Sequence, residues 1–366
     1  MKKLQSQPFE SKLAWLTVIL CAVGLILLSS ASNVISLQRF GSQYFYLTRQ
    51  AIFVGVGLVA MLLVSKINYH FYKRIALILL GLIVLLLATV LIPGIGFTSG
   101  EARSWFNFGV FFLQPAEFAK LALIIYLATY IEAKGEMMKS FFHGLLPSLA
   151  ITGAVAGLIL VQPDFGGTAA IILIAFSIYF AGSVRITHLL ALVTAGLIAS
   201  YALIKAAPYR LARFSAFLDP TLDPLGIGYH INQALLAVGS GGLWGYGFGQ
   251  SRQKFNFLPE PIGDSVFAIT AEELGFLRVA VLLTLFCLFA VLGYGVARKA
   301  PDTFGMLLAV GITSWVVIQV VFNIGAMVNI LPLTGITLPF ISYGGSSIIA
   351  LLIGVGILLN ISRQRI

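Results

Sequence analysis

The sequence is poor in charged residues, which make up 10% of its 366 positions. Soluble globular domains carry roughly 25% charged residues, so this composition excludes a soluble protein. The hydrophobic fraction is 59%, and the apolar residues form continuous runs of about 20 residues without period-two alternation, which excludes a membrane β-barrel. These features predict an all-α polytopic membrane protein.

Cysteine and histidine are also scarce, with two cysteines and four histidines. Cys21 and Cys287 both lie in apolar runs, which predicts small core residues rather than a disulfide or a metal site. The sequence has no Ser-His-Asp set, zinc-ligand spacing or Walker motif, and the glycines of residues 239–249 follow no strand, which excludes a nucleotide fingerprint. His230 is interpreted as a surface or packing residue.

Ten apolar runs begin near residues 13, 47, 74, 115, 143, 166, 187, 274, 304 and 338. Each run is long enough to span a bilayer, at roughly 17 to 25 residues. The positive-inside rule, applied to Lys and Arg in the short loops, predicts that both termini are cytoplasmic. The net charge of +10 lies at these helix ends, so it predicts contact with the lipid bilayer and no nucleic-acid partner. The loop cations are Lys66, Lys73, Arg74, Lys134, Lys139, Arg185, Arg298, Lys299, Arg363 and Arg365.

One polar segment, residues 206–264, interrupts the apolar runs between spans 7 and 8. We expect a single integral membrane domain, residues 1–366, with 206–264 as its large extracytoplasmic loop. Loops this long are usually functional or disordered. This one keeps Tyr, Trp, Phe and Leu throughout, which favours a segment folded against the membrane domain. It ends in FLPEPIGDSVF, which places Asp264 just before span 8.

The positive-inside rule does not explain the cations of residues 206–264, called the outer segment here because the rule places it outside. They are predicted to bind an anionic substrate such as a phosphate, because guanidinium forks match phosphate oxygens. Solubility, or pairing with Asp219, Asp223 or Glu260, is the structural alternative. The predicted substrate-binding set is Arg49, Arg210, Arg213, Arg252, Lys254 and Glu260.

Two ionisable residues lie within span 4, which opens with QPAEFAK. Glu117 and Lys120 are spaced i, i+3, so they share a helix face and are predicted to form an intramembrane ion pair near Arg49. As a structural pair it would lock helices 2 and 4 together, and as a functional pair it would form a charged wall of a polar cavity; the two roles are compatible. Glu272 and Glu273 are predicted to make helix-terminus and interhelical hydrogen bonds.

Asp264 is the predicted catalytic residue. A glycosidase needs two placed carboxylates, because its leaving group must be protonated. A transferase with a lipid-diphosphate donor needs one general base, because diphosphate leaves well when cations stabilise it. A transporter fits less well, because its ionisable groups cluster near the midplane and often lie in repeats.

Seven motifs resemble, in order and over nearly the full chain, the SEDS family of bacterial cell-wall synthesis that includes FtsW, RodA and SpoVE. They are SSAS, QPAEFAK, QPDFGGT, YRLARFSAFLDPTLDPLGIGYHINQALLAVGSGG, GQSRQKFNFLPE, EELG and LPFISYGGSS. The SRQK stretch is more similar to the FtsW branch.

This resemblance implies ten spans and a peptidoglycan glycosyltransferase in the bacterial cytoplasmic membrane. Its active site would face outward and polymerise lipid II, the undecaprenyl-diphosphate-linked disaccharide-pentapeptide that serves as donor and acceptor. It implies Asp264 as the catalytic aspartate, and as partners a class B penicillin-binding protein and other division proteins. It leaves open a divalent cation, Mg²⁺ or Mn²⁺.

The chain departs from the family pattern beside the aspartate. The family usually has His-Thr-Asp-Phe, whereas this chain has Ile262, Gly263, Asp264 and Ser265. The aspartate is kept and its neighbours differ, so metal or acceptor contacts made by those neighbours in the family do not carry over.

Three alternatives to a septal polymerase remain from the sequence: a lipid II flippase, an elongation-type polymerase that controls cell shape, and a non-catalytic scaffold for division proteins.

Overall fold

The computed structural model describes residues 8–99, 102–109, 111–205, 208–223, 226 and 228–364. The first half of the chain forms helices α1 (Pro8–Phe40), α2 (Phe45–Val64), α3 (His70–Thr89), α4 (Pro115–Lys134), α5 (Leu146–Val161) and α6 (Phe165–Ala181). The second half forms α7 (Ile186–Lys205), α8 (Pro208–Leu218), α9 (Tyr229–Ser240), α10 (Val266–Arg298), α11 (Thr303–Met327) and α12 (Gly345–Arg363).

Seven of the described helical segments are long and apolar enough to cross a membrane: α1, α2, α3, Phe141–Val161, α10, α11 and α12. Helices α6 and α7 are also apolar, but their apolar stretches are shorter, at Phe165–Ala181 and Ile186–Ala202. Helix α4 has 20 residues and carries Glu117 and Lys120 near its start. The mainly helical membrane fold is therefore confirmed, and ten helices occupy the places of the ten predicted spans. How many of them cross the bilayer stays a prediction.

A small antiparallel sheet between α3 and α4 was not predicted. Its strands are β1 (Phe97–Ser99), β2 (Ala102–Asn107) and β3 (Phe112–Leu113), in the order β1-β2-β3. The sheet is a small addition to a fold whose predicted helical class is confirmed. The sheet leads directly into α4, where Pro115 at the first helical position loses no hydrogen bond.

The outer segment is more helical than the predicted loop. It contains α8 and α9, and α9 packs against α10 and α11. The segment is thus folded onto the membrane helices, as predicted, but it uses helices to do so.

Helix α10 is interrupted at Gly275, which has φ 72° and ψ 173°. The backbone amides of Tyr246 and Gly247 donate to the carbonyls of Glu272 and Glu273 at 3.1 and 2.9 Å, which satisfies the acceptors that the break releases. A Cβ on Gly275 would lie 2.2 Å from the Gly245 nitrogen. Glycine is therefore required both for the backbone conformation and for the close approach.

The approach to α12 is irregular rather than helical, with residues 332–338 outside regular structure and a turn at 339–341. The span was predicted to begin at residue 338 as a kinked helix, but α12 begins at Gly345 and Pro339 lies outside it. The prediction was wrong because Ser342 and Tyr343, just before Gly345, donate hydrogen bonds to the loop that carries Asp264.

Candidate active site

A cavity of about 1560 Å³ lies at the ends of several helices and reaches between α5, α6 and α7. Its polar side chains come from parts of the chain that are far apart in sequence. They include Arg49, Glu117, Lys120, Asp164, His230, Glu260 and Asp264. Its remaining wall is apolar, with Leu149, Phe176 and Leu197 among the lining residues. The cavity therefore joins a charged end to an apolar channel.

The loop that carries Asp264 is held through three successive carbonyl groups. Tyr343 N donates to the Ile262 carbonyl at 2.9 Å, and Ser342 Oγ donates to the Gly263 carbonyl at 2.6 Å. Asn323 Nδ2 donates to the Asp264 carbonyl at 2.7 Å. These bonds fix the backbone at and before the aspartate, so the place of Asp264 depends on α11 and the approach to α12.

Gln50 anchors the approach to α12 to α2. Its amide nitrogen donates to the Ser342 carbonyl at 3.2 Å, and its amide oxygen accepts from Gly344 N at 3.1 Å. Gln50 is buried. The position of Asp264 therefore depends on α11 and the approach to α12 and, through Gln50, on α2, which lies more than 200 residues away in the sequence.

Asp264 has an electrostatic environment suited to accepting a proton. Burial and, to a smaller extent, the charge of Glu260 together raise the pKa of its carboxyl to about 7, against hydrogen bonds that lower it. A carboxyl with a pKa near 7 is both available as a base at neutral pH and strong enough to take a proton in a transition state.

The predicted intramembrane ion pair is present. Lys120 Nζ lies 2.6 Å from Glu117 Oε1, and both side chains are buried. The ammonium also lies 5.6 Å from the ring centre of Trp315. Asp164, which caps α6 by accepting from Gly167 N at 2.7 Å, lies close enough for the Lys120 charge to act on it. The pair thus forms part of the cavity wall as well as a helix contact.

Arg49 lies on the same cavity, from the first turn of α2. Its guanidinium lies 5.0 Å from the Phe45 ring centre and interacts with the Tyr343 hydroxyl. Arg49, Glu260 and Asp264 therefore line one cavity, together with the Glu117–Lys120 pair.

Lys254 lies elsewhere, contrary to the prediction of substrate binding. It is buried, and its ammonium donates to Glu273 Oε1 at 2.9 Å, Ser30 Oγ at 3.0 Å and the Gly249 carbonyl at 2.7 Å. With three acceptors in place, Lys254 joins α1, the outer segment and α10. It is a structural residue.

Glu272 receives bonds from the backbone of the same outer stretch: Arg252 N and Gln253 N donate to its carboxylate at 3.1 and 3.3 Å. The predicted hydrogen-bonding role of the two glutamates is confirmed. The Arg252 side chain is exposed, with its guanidinium 5.0 Å from the Tyr246 ring centre, and does not contribute to the cavity wall.

Arg210 and Arg213 lie on α8, but their side chains fall outside the described residues. Phe214 of the same helix lines the cavity, which places the α8 backbone beside it. Their predicted role in binding diphosphate stays a prediction.

His230 and Ser265 are site residues that the sequence interpretation missed. His230 lines the cavity, and its Nε2 lies 2.7 Å from Ser265 Oγ, next to Asp264. The departure from the family pattern at Ser265 was the available signal. The contact to His230 joins residues 35 positions apart and needed the fold.

No cluster of three or more metal-binding side chains occurs among the described residues. No residue is therefore assigned to the divalent cation that the resemblance leaves open.

Comparison with known proteins gives one consistent result. Residues 11–366 match the family of FtsW, RodA and SpoVE, described as "Cell cycle protein". Stage V sporulation protein E of Bacillus subtilis (strain 168) is 42% identical over 348 residues, 95% of each chain. Probable peptidoglycan glycosyltransferase FtsW of Trichlorobacter lovleyi is 38% identical over 365 residues, 99% of this chain and 95% of the relative.

Two solved structures have the same fold. A chain of a peptidoglycan synthase complex, from work on the coordination of polymerization and crosslinking, superposes with a TM-score of 0.81 at 32% identity, covering 97% of each chain. The rod shape determining protein RodA of Thermus thermophilus gives a TM-score of 0.71 at 31% identity, covering 97% of this chain and 96% of that one. The chain described here belongs to the FtsW, RodA and SpoVE family.

Proposed function

We propose that this chain is a peptidoglycan glycosyltransferase that polymerises lipid II, with Asp264 as the general base. The observation that carries the proposal is the position of Asp264: a single carboxyl with a pKa near 7, on a backbone fixed from three elements, facing a cavity that also holds two cations. Relatives named probable peptidoglycan glycosyltransferase FtsW support the enzyme class.

The transfer uses one general base and one departing diphosphate. Asp264 takes the proton of the acceptor sugar's 4-hydroxyl as that oxygen attacks the anomeric carbon of the donor. The new bond forms between oxygen and carbon, while the bond from that carbon to the diphosphate breaks and leaves its electron pair on the diphosphate. Attack opposite to the leaving group inverts the anomeric centre.

The cations of the cavity serve the leaving group. Arg49 and Lys120 lie on the same cavity as Asp264, and positive groups fixed near a departing diphosphate stabilise the charge that develops on it. Arg49 offers a planar fork that suits two diphosphate oxygens at once. The apolar wall between α5, α6 and α7 suits the polyprenyl chain of the same lipid.

The biological setting follows from the same reasoning. We place the chain in the bacterial cytoplasmic membrane with the cavity on the outer side, where the positive-inside rule puts the segment that carries Asp264. The branch resemblance and the relatives named FtsW favour septal synthesis during cell division. A class B penicillin-binding protein is the proposed partner, because a structural neighbour belongs to a peptidoglycan synthase complex.

A translocase for lipid II is the second candidate. The Glu117–Lys120 pair is buried among the helices and lines a cavity, and intramembrane ionisable pairs also mark transport pathways. A polymerase converts lipid II into glycan chains, whereas a translocase moves lipid II across the membrane unchanged.

The test is to reconstitute purified protein in liposomes that contain lipid II and to follow glycan chains on gels and lipid II exposure at each leaflet. Glycan chains that form with wild type and not with Asp264→Asn support the polymerase. Translocation without glycan chains would support the transporter instead. If neither activity is seen, with or without a class B partner, the non-catalytic scaffold is the remaining hypothesis.

A further inference from the structure

Ser265 occupies the N-cap position of α10 but does not cap that helix. A serine at this position normally accepts a hydrogen bond from a backbone amide of the first turn. Here its hydroxyl lies 2.7 Å from the Pro259 carbonyl, 2.7 Å from His230 Nε2 and 3.4 Å from Asp264 Oδ1. The hydroxyl is fully buried and is turned from helix capping toward the site.

The protons of this cluster have one arrangement that satisfies the geometry. Two oxygens 2.7 Å apart need a proton between them, so the single hydroxyl proton of Ser265 is donated to the Pro259 carbonyl, and Asp264 Oδ1 at 3.4 Å receives the longer branch of this shared bond. His230 Nε2 must then be the donor to Ser265 Oγ, which leaves Nδ1 without a proton. Burial lowers the pKa of His230 to about 4, so the ring is neutral at neutral pH.

We propose that His230 is a positioning residue for glycosyl transfer, which acts through Ser265 to orient Asp264 and to direct the serine hydroxyl toward its carboxylate. The proposal rests on the proposed function. In the family pattern a histidine stands two residues before the aspartate and a phenylalanine follows it. Here Ile262 and Ser265 occupy those places, and α9 supplies the imidazole from another element.

The effect of the cluster on Asp264 has a definite sign. A hydrogen bond to a carboxylate favours its ionised form, and the Ser265 hydroxyl is one of the groups that lower the Asp264 pKa. The charged groups that share the cavity are Glu260 on the same loop, Arg49 on α2, Glu117 and Lys120 on α4, and Asp164 before α6. None of these is changed by substitutions at His230 or Ser265.

The first test measures kcat and KM for lipid II polymerisation from pH 5 to 9. Ser265→Ala and His230→Leu should lower kcat several-fold, by less than the roughly tenfold expected for a full hydrogen bond to a charged group, because the branch to Asp264 is the longer one. Both should move the acid limb of the kcat profile to higher pH with little change in KM. His230→Gln should restore most of the activity, because the glutamine amide can donate to Ser265 Oγ.

Matched controls lie nearby. His188→Gln changes a histidine that packs against Phe141 and does not line the cavity, and Ser240→Ala removes a hydroxyl bonded within α9. Both controls should leave the profile unchanged. An acid limb that stays in place in Ser265→Ala or in His230→Leu overturns the proposal, whereas wild-type protein that makes no glycan overturns the proposed function instead.

A second measurement is independent of activity. The chain has four histidines, so nitrogen NMR of histidine-labelled protein, compared with His230→Gln, isolates the ring of residue 230. We expect a protonated Nε2 and a bare Nδ1 at pH 7, and loss of this preference in Ser265→Ala. A protonated Nδ1 at residue 230 in the wild type would overturn the proposal.

Discussion

The Glu117–Lys120 pair gives a sharp test of how this fold tolerates charge. Lys120→Met keeps most of the side-chain volume beside Trp315 but removes the cation 2.6 Å from Glu117 Oε1. The other carboxylate oxygen, Glu117 Oε2, is buried and has no hydrogen-bond partner among the described residues. Removing one member of such a pair leaves an uncompensated buried charge, which costs about 3–5 kcal/mol.

The double variant Glu117→Leu, Lys120→Met should recover a large part of that loss, because both charges are then absent. Lys139→Met is the matched control. Lys139 and Glu136 have the same i, i+3 spacing, but both side chains are exposed, so the change should cost less than about 1 kcal/mol.

The assay is equilibrium unfolding of the purified protein in mixed micelles titrated with sodium dodecyl sulfate. Equal free energies of unfolding for Lys120→Met and Lys139→Met would refute the assigned burial. A double variant no more stable than the single one would refute the charge as the cause of the loss.

Three further predictions concern Gly275, Asp264 and Arg210. Gly275→Ala should destabilise the protein by about 1–3 kcal/mol from backbone strain alone, whereas Gly239→Ala, with open space around its Cβ position, should be mild in the same unfolding assay. Because the Asp264 pKa is raised from 3.8 to about 7 in the fold, its contribution to stability is present at low pH and is lost as the pH rises through about 7. The melting temperature of Asp264→Asn should therefore rise relative to that of wild type between pH 5 and pH 8. A difference in melting temperature that stays constant over this range would contradict the raised pKa. Arg210→Lys should lower lipid II turnover at unchanged stability if the guanidinium binds diphosphate, because lysine keeps the charge and loses the fork; unchanged turnover in Arg210→Lys and Arg213→Lys would remove both residues from the site.

The sequence predicted the features that depend on local pattern. Apolar run length located the helices, and the i, i+3 spacing of Glu117 and Lys120 predicted their pair, because helix geometry makes such residues neighbours whatever the rest of the fold does. The placement of Asp264 at the end of the outer segment likewise required no tertiary information.

Long-range contacts escaped the same reasoning. Lys254 was assigned to substrate, but its partners Ser30 and Glu273 come from α1 and α10. Residues 338–344 were assigned to a helix by their hydrophobicity, although their amides and hydroxyls bind the Asp264 loop. Polar groups that bind across the fold leave no periodic trace in the sequence.

The most direct test of the central claim is glycan synthesis from lipid II by purified wild type, Asp264→Asn and Asp219→Asn under identical conditions. Asp219 is an aspartate of the same outer segment that is bonded to Thr221 and does not line the cavity. We expect Asp219→Asn to resemble wild type and Asp264→Asn to lose on the order of 10²–10⁴-fold in rate, the contribution of a general base. Near wild-type glycan synthesis by a folded, membrane-inserted Asp264→Asn would contradict the account.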